Sequence, residues 1–361
     1  SVYYCQNCSL VQVTDVVNPE TLFGDYYFIT SASAPLLEHF KDYSKDVLEK
    51  FIKSDEDLVV DIGGNDGTLL NELKNKCKVI NVEPARNIAQ ISEKKGIKTI
   101  NSFFNMKVVN KIIKTSGHAN VVTANNIIAH TDTVRDLFIG VKKLLKPDGV
   151  FIFEAHWVNN LIREGAFDQV YHEHLSYYSL HSIKYLVEST GMRIIDVKKV
   201  SVQGESLRVY VSKNRKVLSS VDKFLKEEKK LGLNTLKTFS KFSSSVIKNK
   251  DKTLKLLHSL KKKNKKIVGY GAPAKGSTLL NYYGIDDKLI DYVTDTTYMK
   301  QGLYMPGVHL PIYPPSVLNE NPPDYILILA WNFADSIIKK ETDLIKRGVK
   351  FIVPAPKLKI V

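Results

Sequence analysis

An α/β protein is predicted by this 361-residue sequence, with a doubly wound sheet, a second and smaller α/β domain, and a short cysteine-containing segment in front of both. Short apolar runs alternate with helical segments through the first half of the chain, which is typical of a doubly wound sheet. The same alternation restarts after a lysine-rich helical stretch, and the length is sufficient for about two domains.

The first domain is predicted over residues 21–215. It opens with a helix from Glu38 to Lys53. Short apolar strands then alternate with helices such as TLLNELKNK and VRDLFIGVKKLL. The strands are DLVVDIG, KVINVEP, GIKTI, NVVTANN and GVFIFEA. An antiparallel pair within DVKKVSVQGESLRVYVSKN closes the domain, and Gln203 and Gly204 supply the turn between its two strands.

Residues 216–262 are predicted to form connecting helices, because Phe, Leu, Val and Ile recur at helical spacing among the lysines. Residues 263–361 restart the pattern of strands and helices and form the second α/β domain. Its helices begin near Lys275 and Asp335, and its strands are KKIVGYGA, LIDYVTD, YILILAW and KFIVPAP.

The charge balance is strongly basic, since lysine and arginine exceed aspartate and glutamate by 52 − 38 = 14. A positive field attracts a nucleoside diphosphate as well as a nucleic acid. The basic helices contain few of the aromatic residues that single-stranded nucleic acids stack on, so a small anionic substrate is favoured over a nucleic acid. No apolar run approaches the ~20 residues of a membrane helix, and no signal-peptide pattern is present, so we expect a cytoplasmic protein without a membrane partner.

A glycine-rich loop joins the first strand to a helix in VVDIGGNDGTLL. Glycine allows a sharp turn and a close approach to a ligand, so this arrangement indicates a nucleotide site, with a plain tight turn as the alternative. Asn65 replaces the second glycine of the dinucleotide motif, which argues against a pyrophosphate cofactor. Glu83 ends the next strand, where an acidic residue accepts hydrogen bonds from a ribose. The candidate cofactor residues are Asp61, Gly63, Asn65, Gly67, Glu83, Pro84, Asn125 and Asn126.

Several proton-handling groups follow one another in FDQVYHEHLSYYS. On an extended segment, His172 and His174 are spaced like a pair of metal ligands, whereas in a helical turn Tyr171 and His174 would share one face. His130, which follows ANNIIA, is either a further member of this site or a satisfied histidine at a strand end.

Two further motifs leave alternatives open. Cys5 and Cys8 form a C-x-x-C pair, which is either half of a four-cysteine zinc site or a redox pair, and any further zinc ligands would have to lie upstream of Ser1. The stretch GYGAPAKGSTLL does not match the phosphate-binding loop motif G-x-x-x-x-G-K-[ST], because Lys275 precedes Gly276 instead of following it. Backbone N–H groups at a helix start and one lysine can still hold a diphosphate, although a simple strand-to-helix turn explains the glycines equally well.

Eight stretches together resemble the bacterial sugar C-methyltransferases, which make branched-chain deoxysugars from nucleotide-linked 4-keto sugars. These stretches span essentially the whole chain: NCSLVQ, DYYFITSAS, VVDIGGNDGTLL, ANNIIAH, FDQVYHEHLSYYSL, GESLRVYV, GYGAPAKGSTLLNYYGI and KQGLYMPGVHLPI. The resemblance implies a class I methyltransferase fold that binds S-adenosylmethionine, and a Rossmann-like C-terminal domain that contacts the nucleotide sugar. Residues 1–20 would be the remnant of a zinc-binding module with Cys5 and Cys8 as metal ligands, binding structural zinc only if upstream cysteines are present.

The resemblance also implies residue roles. Methylating a carbon next to a ketone, here expected to be C3, requires a base and donors for the developing oxyanion. His174 is the expected base, because a neutral imidazole accepts a proton near pH 7. Glu173 would orient it, and Tyr171 and His130 would donate hydrogen bonds to the keto oxygen. Tyr26 is carried over as a further catalytic candidate.

Contacts to the nucleotide are expected from Lys275, Lys300 and His309. The sequence departs from the family in lacking the first cysteine pair and in having Tyr26, Tyr27 and Phe28 where Tyr-Pro-Tyr is common. Two other functions stay open at this point. One is methyl transfer to oxygen or nitrogen of a small molecule, and the other is zinc-dependent binding of nucleic acid through the basic helices.

Overall fold

The structure is a computed structural model that describes residues 1–201 and 205–361. Those residues form two compact units. The first unit comprises Ser1–Asn160 and His172–Leu236, and the second comprises Leu161–Tyr171 and Lys237–Val361. The sequence predicts one continuous domain over residues 21–215, whereas the contacts assign the short segment Leu161–Tyr171 to the other unit.

A seven-stranded sheet forms the centre of the first unit. The strands of this unit are β1 (Val2–Tyr4), β2 (Val11–Val13), β3 (Leu58–Ile62), β4 (Lys78–Val82), β5 (Lys98–Ile100), β6 (Ala119–Asn125), β7 (Leu145–His156), β8 (Ser176–Tyr177), β9 (Arg193–Val200) and β10 (Ser206–Ser212). Its helices are α1 (Pro19–Phe23), α2 (Ala34–Phe51), α3 (Thr68–Leu73), α4 (Arg86–Lys94), α5 (Met106–Ser116), α6 (Val134–Leu144), α7 (Val158–Arg163), α8 (Leu180–Ser189) and α9 (Ser219–Leu231), of which α7 runs on into the second unit.

The central sheet has the order β5-β4-β3-β6-β7-β10-β9. Neighbours from β5 to β7 run parallel, and β10 is antiparallel to both β7 and β9. Strand β3 is buried along its whole length, as expected for a strand covered on both faces. Because β4 and β6 lie on opposite sides of β3, the loops that leave β3 and β6 flank the point where ligands bind in open α/β sheets.

The predicted strands and helices of this unit are all present. Helix α2 begins at Ala34, one turn before the predicted Glu38, and Pro35 occupies the first turn, where its missing N–H is not needed. The predicted antiparallel pair is β9 with β10. The proposed turn residues Gln203 and Gly204 lie outside the described residues.

The run YHEH was expected to be helical or extended, and the structure contains neither arrangement. Residues 171–174 form a turn that leads into β8. Strand β8 pairs with β2, and β2 pairs with β1, so a small three-stranded sheet follows this turn. The side chains of residues 171–174 therefore project from irregular backbone, and the pairing of β8 with β2 holds the end of this turn in place.

The second unit contains a six-stranded sheet in the order β13-β12-β11-β14-β15-β16. Its strands are β11 (Ile267–Tyr270), β12 (Val293–Thr294), β13 (Ile312–Tyr313), β14 (Tyr325–Ile328), β15 (Lys350–Val353) and β16 (Lys359–Ile360), and all neighbours are parallel except β15 and β16. Its helices are α10 (Leu236–Lys261), α11 (Ala274–Tyr283), α12 (Val317–Glu320), α13 (Ala334–Lys340) and α14 (Thr342–Lys346). Strands β13 and β16, of two residues each, were not predicted.

Candidate active site

The glycine loop after β3 has the backbone that a close ligand approach requires. Gly63 and Gly67 have φ of 62° and 75°, in the left-handed region that favours glycine. A Cβ on Gly64 would lie 2.5 Å from Asn81 Oδ1 and 2.7 Å from Asp61 Oδ2. The loop is thus packed tightly against the polar side chains that end β3 and β4, and only glycine fits there.

Glu83 is fixed in position by backbone donors. It is buried, and its carboxylate accepts hydrogen bonds from the N–H of Asn65 and of Ala85, each at 2.9 Å. Burial raises the pKa of Glu83, and these two donors oppose the rise. The neighbouring Pro84 is half-buried, and its carbonyl accepts from Asn101 Nδ2 at 2.8 Å. A carboxylate oxygen has two acceptor positions, so Glu83 can still accept hydroxyl groups of a ribose.

Asp61 stands behind the loop. Burial, together with the charge of Glu83, raises its pKa to about 7, although the hydrogen bond that the Thr123 hydroxyl donates at 2.6 Å opposes the rise. This balance keeps a second negative charge off the buried site for part of the time near neutral pH.

The loop after β6 offers unused acceptors. Among the described residues, Asn125 Oδ1 and Asn126 Oδ1 are buried without a hydrogen-bond partner, and Asn126 has φ of 58°. Buried polar atoms are normally paired, so these amide oxygens indicate a place where a ligand with hydrogen-bond donors can bind. Together with the glycine loop and Glu83, the residues present fit S-adenosylmethionine, which carries hydroxyl and amino donors.

An N-terminal segment covers the glycine loop. Asn65 accepts from both the N–H and the hydroxyl of Thr30 and donates to the Phe28 carbonyl, at 2.9 to 3.0 Å. Tyr26 exchanges two backbone hydrogen bonds with the side chain of Asn87 on α4. Burial raises the pKa of Tyr26 to about 12, with contributions from Glu173 and Glu83. Tyr26 therefore lies within electrostatic range of both Glu83, a candidate cofactor residue, and Glu173.

Three histidines of the first unit form a cluster. The ring centroid of His174 lies 4.9 Å from that of His130 and 5.7 Å from that of His156. His130 Nδ1 lies 2.7 Å from the Glu173 carbonyl oxygen, which requires Nδ1 to carry the proton and leaves Nε2 as the acceptor. Burial lowers the pKa of His130 and of His156 to about 4 each, and His174 adds to both effects. Both flanking imidazoles are therefore neutral at pH 7.

Tyr171 belongs to the second unit, whereas Glu173 and His174 belong to the first. The structure brings Glu173, His174, His130 and Tyr26 together within the first unit, through the contacts just given. The predicted grouping of Tyr171 with them stays a prediction.

The predicted nucleotide contacts lie in the second unit. Lys275 pairs with Asn332 and lies 4.8 Å from the centroid of the Trp331 ring. Lys300 donates to the Ala272 carbonyl at 2.9 Å, on the loop that leads to Lys275. His309 is exposed, on a turn that its own N–H closes against the Met305 carbonyl at 2.9 Å. The structure thus groups the two lysines around one loop and displays His309 on another.

The cysteine pair is incomplete as a metal site. The side chains of Cys5 and Cys8 interact, since the Cys8 backbone and thiol lower the pKa of Cys5, while burial raises that of Cys8. Within residues 1–201 and 205–361, no group of three or more His, Cys, Asp or Glu side chains could hold a metal ion. Two thiols supply half of a tetrahedral zinc site, so this chain alone does not fit structural zinc.

Three residues that the structure places beside predicted site residues were not predicted from the sequence. His156 directly follows GVFIFEA, so its place at a carboxyl strand end was visible but its proximity to His174 was not. Asp168 and Trp331, joined by a hydrogen bond of 2.6 Å in the second unit, are 163 positions apart and gave no local signal. In the part of the chain that is described, no helix is both long enough and apolar enough to cross a membrane.

Comparison with known proteins adds two family matches. Residues 36–197 match a profile described as a methyltransferase domain, and residues 201–356 match one described as a C-methyltransferase C-terminal domain. Over 364 aligned positions the chain is 34% identical to C-methyltransferase NovU of Streptomyces niveus, covering 100% of this chain and 87% of that relative.

Solved structures match about half of the chain. An S-adenosylmethionine-dependent methyltransferase from Clostridium acetobutylicum is 16% identical, with a TM-score of 0.38, covering 49% of this chain and 91% of that one. The magnesium protoporphyrin IX methyltransferase of Synechocystis with bound S-adenosylhomocysteine is 10% identical, with a TM-score of 0.38, covering 49% and 83%.

Proposed function

Because the chain belongs to the C-methyltransferase family and is an S-adenosylmethionine-dependent enzyme, we propose that it methylates a ring carbon next to a 4-keto group of a nucleotide-linked deoxysugar, with C3 as the expected position. The histidine cluster of the first unit is the observation that carries the proposal. Methyl transfer to oxygen or nitrogen needs no enolate, whereas transfer to such a carbon needs a base and oxyanion donors.

His174 is the proposed base. It lies between two imidazoles that are neutral at pH 7, so the positive charge gained on taking the α-proton falls on His174 itself. The proton leaves the ring carbon for an imidazole nitrogen, and the bonding pair remains as the enolate. Glu173 is proposed to orient the base, and its carbonyl oxygen holds the His130 ring.

The enolate oxygen requires donors. Tyr26 is suited to this role, because its pKa of about 12 keeps the phenol protonated. Tyr171 is the other proposed donor, and removing one such donor costs ~3 kcal/mol, about a hundredfold in rate. His130, also expected from the sequence to donate, gives its Nδ1 proton to the Glu173 carbonyl, so the neutral ring offers only an acceptor at Nε2. When bound, S-adenosylmethionine supplies the electrophilic methyl group on a sulfonium. Asp61, the Gly63–Gly67 loop, Glu83, Pro84, Asn125 and Asn126 are proposed to hold it.

The second unit is proposed to hold the diphosphate and nucleoside of the substrate. Lys275, Lys300 and His309 are the proposed contacts, and the half-buried ammonium of Lys275 beside an indole supports an anion site. Structural zinc is proposed only for a longer protein that supplies ligands upstream of Ser1.

The deciding experiment incubates the enzyme with labelled S-adenosylmethionine and a panel of nucleotide-linked 4-keto-6-deoxy sugars, and reads the carbon skeleton of the product by NMR. His174→Asn should abolish both methyl transfer and exchange of the substrate α-proton with heavy water while leaving ligand affinity unchanged. His118→Asn, at an exposed histidine, is the control. Wild-type exchange in the His174 variant would overturn its role as base, and a methyl group on oxygen would overturn the proposed substrate position.

A further inference from the structure

Asp168 is a buried carboxylate that the proposed methyl transfer does not use. It lies in the segment Leu161–Tyr171, and it is 0% exposed within the second unit. Trp331 Nε1 donates to its Oδ2 at 2.6 Å. Its other oxygen, Oδ1, is buried without a hydrogen-bond partner among the residues that the structure describes. An unpaired buried carboxylate oxygen is costly, so a proton or a ligand is expected there in one functional state.

The indole that binds Asp168 also contacts the candidate anion site. Lys275 Nζ lies 4.8 Å from the Trp331 ring centroid, and Lys275 pairs with Asn332, the next residue. Lys275 follows β11, whereas Trp331 and Asn332 follow β14. These parallel strands are neighbours, and β12 lies on the other side of β11. The cluster therefore occupies the point where the strand order reverses, which is where ligands bind in open α/β sheets.

Asp168 and Lys275 interact electrostatically. Burial raises the pKa of Asp168 to about 6, opposed by the Trp331 hydrogen bond and the charge of Lys275. Burial also lowers the pKa of Lys275, and the charge of Asp168 opposes that change. Tyr282 and Tyr283 on α11 both pack on Phe167, the residue before Asp168, and burial raises the pKa of Tyr283 to about 12. On the segment of Asp168 itself, Arg163 and Glu164 pair with each other at the surface.

We propose that Asp168 is a positioning residue of this anion site and takes up one proton from solvent when the diphosphate of a nucleotide-linked sugar binds to Lys275. This inference rests on the role of the second unit proposed above. The added anion disfavours a second negative charge nearby and satisfies Lys275, whose charge had stabilised the carboxylate. The proton goes to Oδ1, so Oδ2 keeps its hydrogen bond from Trp331 Nε1.

The direction of the pH dependence follows from this linkage. The pKa of Asp168 is higher in the complex than in the free protein, so the complex binds more protons between the two values. Affinity should therefore rise as pH falls from 8 towards 6, by about tenfold for each unit by which binding raises the pKa. The diphosphate of a nucleotide sugar is a diester without an ionisation in this range, so it contributes no protons of its own.

The test is titration calorimetry of the full chain with dTDP-glucose and GDP-mannose at pH 6.5, in two buffers of different ionisation enthalpy. The expected result for the nucleotide sugar that binds is proton uptake, seen as an enthalpy that differs between the buffers. In Asp168→Asn, which keeps an acceptor for Trp331, binding should persist without proton uptake and without the pH dependence. Asp335→Asn, at an exposed carboxylate, should behave as the unaltered protein.

Two results would overturn the inference alone. One is binding without proton exchange by the unaltered protein, a measurement that does not depend on whether a variant folds. The other is unchanged proton uptake in Asp168→Asn. If neither nucleotide sugar binds while S-adenosylmethionine does, the inference falls together with the proposed role of Lys275.

Discussion

Glu83 is held in place by the backbone, because both of its oxygens accept backbone N–H groups before any ligand arrives. A residue fixed in this way needs little reorganisation on binding, which favours affinity.

Replacing Glu83 with alanine should weaken S-adenosylmethionine binding by roughly ten- to a hundredfold, the cost of losing hydrogen bonds to a charged group. Calorimetry of the purified variant measures this. Glu72→Ala, at an exposed site, should bind normally. Unaltered affinity in a folded Glu83 variant would show that the ribose lies elsewhere.

His130 and His156 should titrate near pH 4, since burial and His174 disfavour their charged forms. Their unfolded pKa is about 6.5, so the unfolded chain binds more protons between pH 6.5 and 4. Both residues therefore contribute stability above pH 6.5 that is lost as pH falls towards 4. NMR of ring protons, assigned with His130→Asn and His156→Asn, checks this, and midpoints near 6.5 would contradict it.

At the scale of elements, one carboxylate of helix α9 binds both α8 and Trp157, the residue that follows β7. Glu228 is fully buried and accepts from Trp157 Nε1, from the N–H groups of Leu180 and His181, and pairs with His181 Nδ1, at 2.7 to 3.0 Å. It satisfies the first N–H groups of α8, which no residue of that helix can reach.

Glu228→Ala should lower the free energy of unfolding by about 3 kcal/mol, because several buried donors lose their acceptor together. The neighbouring Glu227 makes an exposed pair with Lys199, so Glu227→Ala should cost less than about 1 kcal/mol. Urea unfolding of both variants makes the comparison. Equal losses would mean that solvent replaces the buried acceptor.

The predicted fold class is confirmed, since the doubly wound sheet of class I methyltransferases and the second α/β domain are both present. Short apolar runs such as those of β3 and β6 are local signals, so these strands can be predicted from the sequence. Strands of two residues, such as β8 and β13, carry no periodicity and form only because a partner strand is present. The turn at residues 171–174 follows from that pairing, so its shape was not predictable from YHEH alone.

The candidate site was predictable in part for the same reason. Glycines, Glu83 and Asn126 follow strands, and strand ends of a parallel sheet meet at one edge. The segment Gly24–Thr30 reaches the loop through Asn65, and its place there depends on distant contacts that no local pattern encodes.

At the scale of the whole molecule, the chain leaves the first unit at Leu161 and returns at His172. Within the second unit, Phe167 stacks on Tyr283 with ring centroids 5.2 Å apart and an angle of 6°, and it belongs to the core there. The eleven residues Leu161–Tyr171 therefore belong to the second unit, although the sequence on either side of them belongs to the first.

Phe167→Ala should destabilise the second unit by about 3 to 5 kcal/mol, the usual cost of emptying a buried aromatic site. Thermal unfolding followed by proteolysis and mass spectrometry shows which residues are released first, and cleavage within 237–361 is expected. Phe333→Ala, at a 60% exposed ring, is the matched control. First release of residues 36–160 instead would contradict the assignment of Phe167.

The excursion at Leu161–Tyr171 also sets an order of events at the ribosome. This segment is synthesised before the sheet on which it packs, and β15 follows it by well over a hundred codons. At about 5–20 residues per second, Phe167 waits roughly ten to forty seconds for its partners. A nascent chain therefore carries Phe167 unpacked while about half of the 361-residue sequence is synthesised, so we expect this segment to bind a chaperone until synthesis reaches the last parallel strand.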